Sequence, residues 1–196
     1  MVDICVNEIT SLDLKFNVQK CSILRFGSRY MRACASIMVG SEEIKYASTA
    51  KYLGVMLCSC KCFSVDVHYA KSNFYSRFNS VFHKGAKFHN ELILLHIVAA
   101  YCKPYLFYCT EGLDLSVRQL RSLDHAWCCA ISCIFHVTAA DVSLISHYTA
   151  SVPFDELLRN RRLNFINGLC FANNTVLCYI YNAKANRFAV GNVAKL

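Results

Sequence analysis

Thirteen cysteines and seven histidines give this chain of 196 residues ample material for thiol and soft-metal chemistry. Cys58, Cys60 and Cys62 alternate, so in a strand all three face one way, but tetrahedral zinc needs a fourth ligand from elsewhere. His125, Cys129, Cys133 and His136 form a second set at helical spacing. On one continuous helix they extend over about 16 Å at the standard rise, so two can share an ion and four cannot. A helical face packed on its neighbour is the favoured reading of that set. Carboxylates are scarcer: phosphoryl transfer by two divalent cations needs clustered acids, and no adjacent acidic pair is placed to supply them. Asp3 reads as a solvated acid in the first turn of a helix. Glycine loops for phosphate, Gly-x-Ser-x-Gly elbows and His-Glu-x-x-His are all missing from the sequence.

Cations are placed more tellingly. Lys15, Lys20, Arg25, Arg29 and Arg32 follow one another with no acid before Glu42, which suits a phosphate-lined partner. Residues 1–103 hold 13 Lys and Arg against 7 Asp and Glu, so most of the net +8 lies in the first half. Arg159, Arg161 and Arg162 follow Asp155 and Glu156 by about one helical turn, and read as a salt-bridged helix surface.

The elements that must carry these residues change period along the chain. Val2, Cys5, Val6, Ile9 and Leu12 recur at helical spacing and predict an amphipathic helix that stops near Asp13. Residues 21–26 then alternate and meet Gly27-Ser28, predicting a half-buried strand and a turn. A second strand, Ala35 to Val39, meets Gly40-Ser41. A third, Lys51 to Cys58, places Tyr52, Gly54 and Met56 on one face and Leu53, Val55 and Leu57 on the other. Beyond Cys62 the period is helical: Val67, Ala70, Phe74, Phe78 and Val81 form one stripe, which ends at Lys84-Gly85 in a left-handed cap. A second such helix runs from Glu91 to Tyr108 with a kink at Pro104. Ser116 and Gln119 form a capping box for a third, which turns Leu120, Leu123, Trp127, Ile131 and Ile134 inward. Pro153 opens a fourth, carrying Leu157, Leu158, Phe165, Ile166 and Leu169.

The fold class is therefore α+β, mainly α: a small antiparallel sheet with one helix over residues 1–62, then a helical lobe over residues 63–196. At 55% hydrophobic the chain is too apolar for disorder. The start Met1-Val2-Asp3 lacks a basic n-region and an apolar h-region, so the cysteines fit a reducing, intracellular setting better than a disulfide framework. The apolar run Leu92 to Cys109 is broken by His96, Lys103 and Pro104, and reads as a buried helix; no membrane partner is expected.

Leu14-Lys15-Phe16-Asn17-Val18-Gln19-Lys20-Cys21, a strand ending Arg25-Phe26-Gly27, a hairpin and then Lys51-Tyr52-Leu53-Gly54-Val55 before helices is an order of motifs that resembles the reverse transcriptase of non-LTR retrotransposons, just after its catalytic aspartates. Asn17, Lys20 and Cys21 match the family's Leu-x-Asn-x-x-Lys segment at the palm edge, and Tyr52, Leu53 and Gly54 its primer grip. Pro104, Tyr108 and Glu111 are similar to a stretch in its thumb or connector. The resemblance covers residues 1 to about 135.

What the resemblance implies is a palm-edge remnant over residues 1–62 and a thumb or connector over 63–196. Lys20 would stand where the family places a leaving-group cation, and Lys20, Arg25, Lys51, Tyr52, Leu53 and Gly54 would meet an RNA/DNA template-primer duplex. The intact enzyme would use Mg2+. Here the chain begins inside the helix after the catalytic hairpin, so the expectation is a truncated piece without catalytic carboxylates, cofactor or polymerase activity, with an unpaired sheet edge and an uncovered apolar face. An incomplete gene model of an active polymerase would look the same. The alternative is a cysteine-rich helical interaction module, with or without a bound metal, that has no enzymatic activity.

Overall fold

The computed structural model describes residues 2–85, 90–149 and 152–182. Residues 183–196, counted above with the helical lobe, lie outside the described residues. Helix accounts for 56% of the chain and strand for 11%, in two small antiparallel sheets, so the molecule is α+β and mainly α. It divides into two compact units, Met1–Tyr69 and Ala70–Leu196. None of the described helices is long and apolar enough to cross a membrane.

The first unit opens on α1, Val2–Ser11, which buries none of its residues. It ends as the sequence suggests: Asp13 takes a left-handed φ of 60°, and the amides of Asp13 and Leu14 donate to the carbonyls of Thr10 and Ile9. That is the bond pattern of a Schellman cap, with aspartate in the place usually held by glycine. Strand β1, Ile37–Val39, pairs with β2, Glu42–Ile44, around Gly40 at φ 62°. The other sheet has the order β3 (Thr49–Tyr52), β4 (Val55–Cys58), β5 (Ser64–Val65), all antiparallel.

Two strand expectations are corrected. Residues 21–26 form no strand; Ile23 and Phe26 touch Tyr46 and Cys60 through isolated parallel bridges. The ladder fails because a side chain intervenes: the Ser59 hydroxyl accepts from the Arg25 amide (3.2 Å) and donates to the Arg25 carbonyl (2.6 Å). The expected single strand from Lys51 to Cys58 is a hairpin, β3–β4, with Tyr52 opposite Val55. Since directly opposed residues share a face, Tyr52 sides with Ala50, Val55 and Leu57, and Met56 with Thr49, Lys51 and Cys58. The expected faces are thus exchanged beyond the turn.

In this unit Ile44, Val65 and Val67 are the buried large hydrophobics among the described residues. Ile4, Leu12, Leu14, Met31, Met38 and Phe63 stand exposed. Many isolated exposed apolar residues would need no explanation, but here they outnumber the core.

The second unit has a full core. Helix α2, Val67–Gly85, stacks Phe74, Phe78 and Phe82 at successive i, i+4 positions, with ring centroids 6.0 and 5.4 Å apart. Gly85 is helical and takes no left-handed cap; a Cβ there would lie 2.5 Å from Cδ1 of buried Leu94, so the glycine permits close packing instead. The helix expected from Glu91 to Tyr108 breaks rather than kinks: α3 is Glu91–Tyr101, and Pro104 begins a separate short α4, Pro104–Phe107. A missing N–H and fixed φ suit proline to a first turn.

Helix α5, Val117–Phe135, starts on the expected capping box, with the Ser116 amide donating to Gln119 Oε1 (2.9 Å) and the Gln119 amide to Ser116 Oγ (3.3 Å). It turns Leu123, Trp127, Ile131 and Ile134 into the core and packs on α3, on α6 (Val142–Tyr148) and on α7 (Phe154–Cys170). On α7, Leu158, Ile166 and Leu169 are buried, whereas Phe165, expected inward, is exposed.

Candidate nucleic-acid interface

Asn-x-x-Lys has a local mechanical meaning here. Asn17 accepts the Lys20 amide on its Oδ1 at 3.1 Å and caps a 3-10 turn, Val18–Lys20, that lies against β2. The turn leaves the Lys20 side chain exposed at the start of the next segment. Beside it, Val6, Ile9, Leu14, Phe16 and Val39 line an open groove of about 290 Å³.

The Tyr-Leu-Gly element is a two-residue hairpin turn. Leu53 has φ 45° and Gly54 φ 81°, the sign pattern of the type I′ turn that joins twisted antiparallel strands. Glycine accepts that backbone freely, but leucine does not, since its Cβ crowds the carbonyl in the left-handed region. The turn projects Tyr52 and Leu53, 65% and 72% exposed, from the tip of the β3–β4 hairpin. Lys51 lies on the opposite face of β3 from Tyr52, its Nζ 5.0 Å from the Tyr69 ring centroid.

Arg25 lies in a loop that its own side chain helps to close. Its guanidinium lies 4.8 Å from the Tyr46 ring centroid, and its Nη1 donates to the Arg32 carbonyl, closing the turn between Gly27 and Cys34. These contacts make Arg25 a brace of its own loop. The expected residues therefore fall in three places: Lys20 on the 3-10 turn, Arg25 in the braced loop, and Lys51, Tyr52, Leu53 and Gly54 together on the hairpin. Sequence reasoning missed Phe26 and Phe63, both exposed, with ring centroids 5.3 Å apart. Their separation along the chain gave no signal.

The cysteine sets do not close into cages. Among the described residues no three His, Cys, Asp or Glu side chains converge to hold a metal ion. The described residues thus assemble no ligand set for Mg2+ or zinc, and Asp3 is exposed on α1. Cys60 donates its thiol to the Cys62 and Cys58 carbonyls, while burial, then Asp66 and Cys60, push the Cys58 thiol up. In the other set His125 Nε2 and Cys129 Sγ meet at 3.5 Å, and His136 is the left-handed residue after α5.

Two of the three arginines of α7, Arg161 and Arg162, also find other partners than expected. Arg161 pairs with Glu111, and Arg162 donates to Asp114 (2.9 Å) and to the Leu113 carbonyl (3.0 Å). Glu111, at the end of the Pro104/Tyr108/Glu111 stretch, thereby ties the turn after α4 to α7. Comparison with models of known families, with curated proteins and with solved structures finds no match.

Proposed function

We propose that this chain is a catalytically incomplete palm-edge and thumb piece of a non-LTR retrotransposon reverse transcriptase, whose remaining capacity is to bind an RNA–DNA template-primer duplex. The observation that carries the reading is the Tyr52-Leu53-Gly54 hairpin. It spends backbone strain at Leu53 to hold an aromatic and an aliphatic side chain in solvent, and local strain of this kind concentrates at functional sites. An aromatic ring offers a face to a base or sugar, and the lysines of this unit supply charge for the phosphates.

Two further observations support it. The Asn17 cap fixes Lys20 at the start of its segment, giving a physical reason for the spacing of that motif. The first unit exposes more large apolar side chains than it buries, as expected of a palm edge separated from the strands that would cover it. Without clustered carboxylates the piece catalyses no polymerisation.

Fluorescence anisotropy with a labelled RNA–DNA duplex tests the reading. Tyr52→Ala should weaken binding by about 1–3 kcal/mol if the ring stacks on a base, and Lys51→Gln should weaken it by a salt-dependent amount. Equal affinity of both variants and the parent chain would remove the hairpin from the interface.

A further inference from the structure

We infer that Phe26 and Phe63 form a stacking platform for unpaired bases, a single-stranded nucleic-acid site in the first unit distinct from the Tyr52 hairpin tip. The inference does not rest on the duplex reading. Both rings are exposed, with centroids 5.3 Å apart and planes tilted by 42°. They lie at the open end of the β3–β4 hairpin, where β4 ends at Cys58 and Ser64 of β5 pairs opposite it, whereas Tyr52 and Leu53 occupy the turn.

Backbone bonds hold the rings there. Phe26 bridges Cys60 in parallel, and the Gly27 amide donates to the Cys60 carbonyl at 3.1 Å. One residue earlier, the Ser59 hydroxyl engages both backbone groups of Arg25. The segment that carries Phe26 is thereby laced to the one that leads into Phe63. Each ring is braced by the other, so less side-chain freedom is lost when a base arrives.

The charge on these two segments suits a polyanion. No acid lies between Asp13 and Glu42 or between Glu43 and Asp66, so neither segment that carries a ring contains a carboxylate side chain. Arg29 and Arg32 lie in the turn that follows Phe26, where the Tyr30 amide donates to the Gly27 carbonyl and the Arg32 amide to the Arg29 carbonyl. Lys61 precedes Phe63 by two residues, in a turn closed by the Cys60 thiol, which donates to the Cys62 carbonyl. All three cationic residues are exposed, and none forms an ion pair among the described residues. Such cations neutralise phosphates, and exposed ring faces stack on any base. A duplex hides its base faces within its own stack, so the rings favour an unpaired strand. An acidic peptide would match the charges but leave the rings without planar partners.

Fluorescence anisotropy of a labelled oligothymidylate of about 12 nucleotides, titrated with the full chain at several salt concentrations, tests the inference. The strand should bind at low salt. Phe63→Ala should weaken binding by about tenfold, Phe63→Leu by as much, and Phe63→Trp not at all, because only tryptophan keeps a ring face. Lys61→Gln should reduce the slope of log K against log salt by about 0.7. Absence of strand binding, even where a duplex binds, overturns the inference, as does an unchanged slope for Lys61→Gln. Parent affinity in Phe63→Ala or Phe63→Leu overturns it too, since no base then stacks on the ring. Polyglutamate that displaces the strand as well as unlabelled oligothymidylate does the same, since the partner is then an acidic protein.

Discussion

Replacing Leu53 with asparagine should stabilise the β3–β4 hairpin while weakening duplex binding. Leu53 holds φ 45° in the first position of the turn, where a left-handed backbone costs an L-residue about 1–2 kcal/mol. Asparagine tolerates that region and is preferred at this position of a type I′ turn. Leu53 is 72% exposed, so its removal forfeits little burial. The net gain should be about 1 kcal/mol, a roughly fivefold change in the local opening equilibrium. Native-state hydrogen exchange at residues 49–58 reads it as slower exchange of the ladder amides. Exchange that is unchanged or faster would refute the strained turn. The same variant loses the aliphatic side chain from the hairpin tip, so its affinity for an RNA–DNA duplex should fall. Slower exchange with full affinity would leave the turn intact as a structural device and sink its role in binding.

Gly54→Ala should act oppositely, destabilising the hairpin by about 1–2 kcal/mol because φ 81° becomes costly with a Cβ; faster exchange over the same amides checks it. Ile131→Ala removes a side chain that is 1% exposed and should cost about 2–5 kcal/mol, read as a lower denaturant midpoint for the second unit. Burial, reinforced by Asp155, raises the Asp124 pKa from 3.8, so its carboxyl binds protons more tightly folded than unfolded. Its contribution to stability is then fully present below pH 3.8 and is lost as pH rises through the folded value. Asp124→Asn should accordingly gain stability relative to the parent between acid and neutral pH; a difference that shrinks over that interval would contradict the assignment.

Helical residues were the most readable because their information is local. Phe74 and Phe78 announce one face of α2 by spacing alone, and Ser116 with Gln119 announces the start of α5 within four positions. The strands failed where the deciding partner is distant. Nothing in the alternation at 21–26 reveals that the Ser59 hydroxyl will occupy both backbone groups of Arg25. The hairpin at Leu53-Gly54 was missed because leucine is an unfavourable residue for its backbone; the glycine alone carried the signal. Gly85 shows the same limit, since its use depends on Leu94 packing beside it, not on its place at a helix end. On α7 the charge pattern suggested pairs within the helix, while Arg161 and Arg162 reach the turn at 111–114 instead. The motifs at Asn17-Lys20 and Tyr52-Gly54 were visible as spacing, but their meaning as a capped turn and a strained hairpin required the fold.

Titration of the full chain against a labelled RNA–DNA duplex over a series of salt concentrations tests the central claim most directly. Binding at low salt, with log K falling linearly as log salt rises, is the predicted result, because cations that neutralise phosphates release condensed counterions. No binding at the lowest salt would contradict the account.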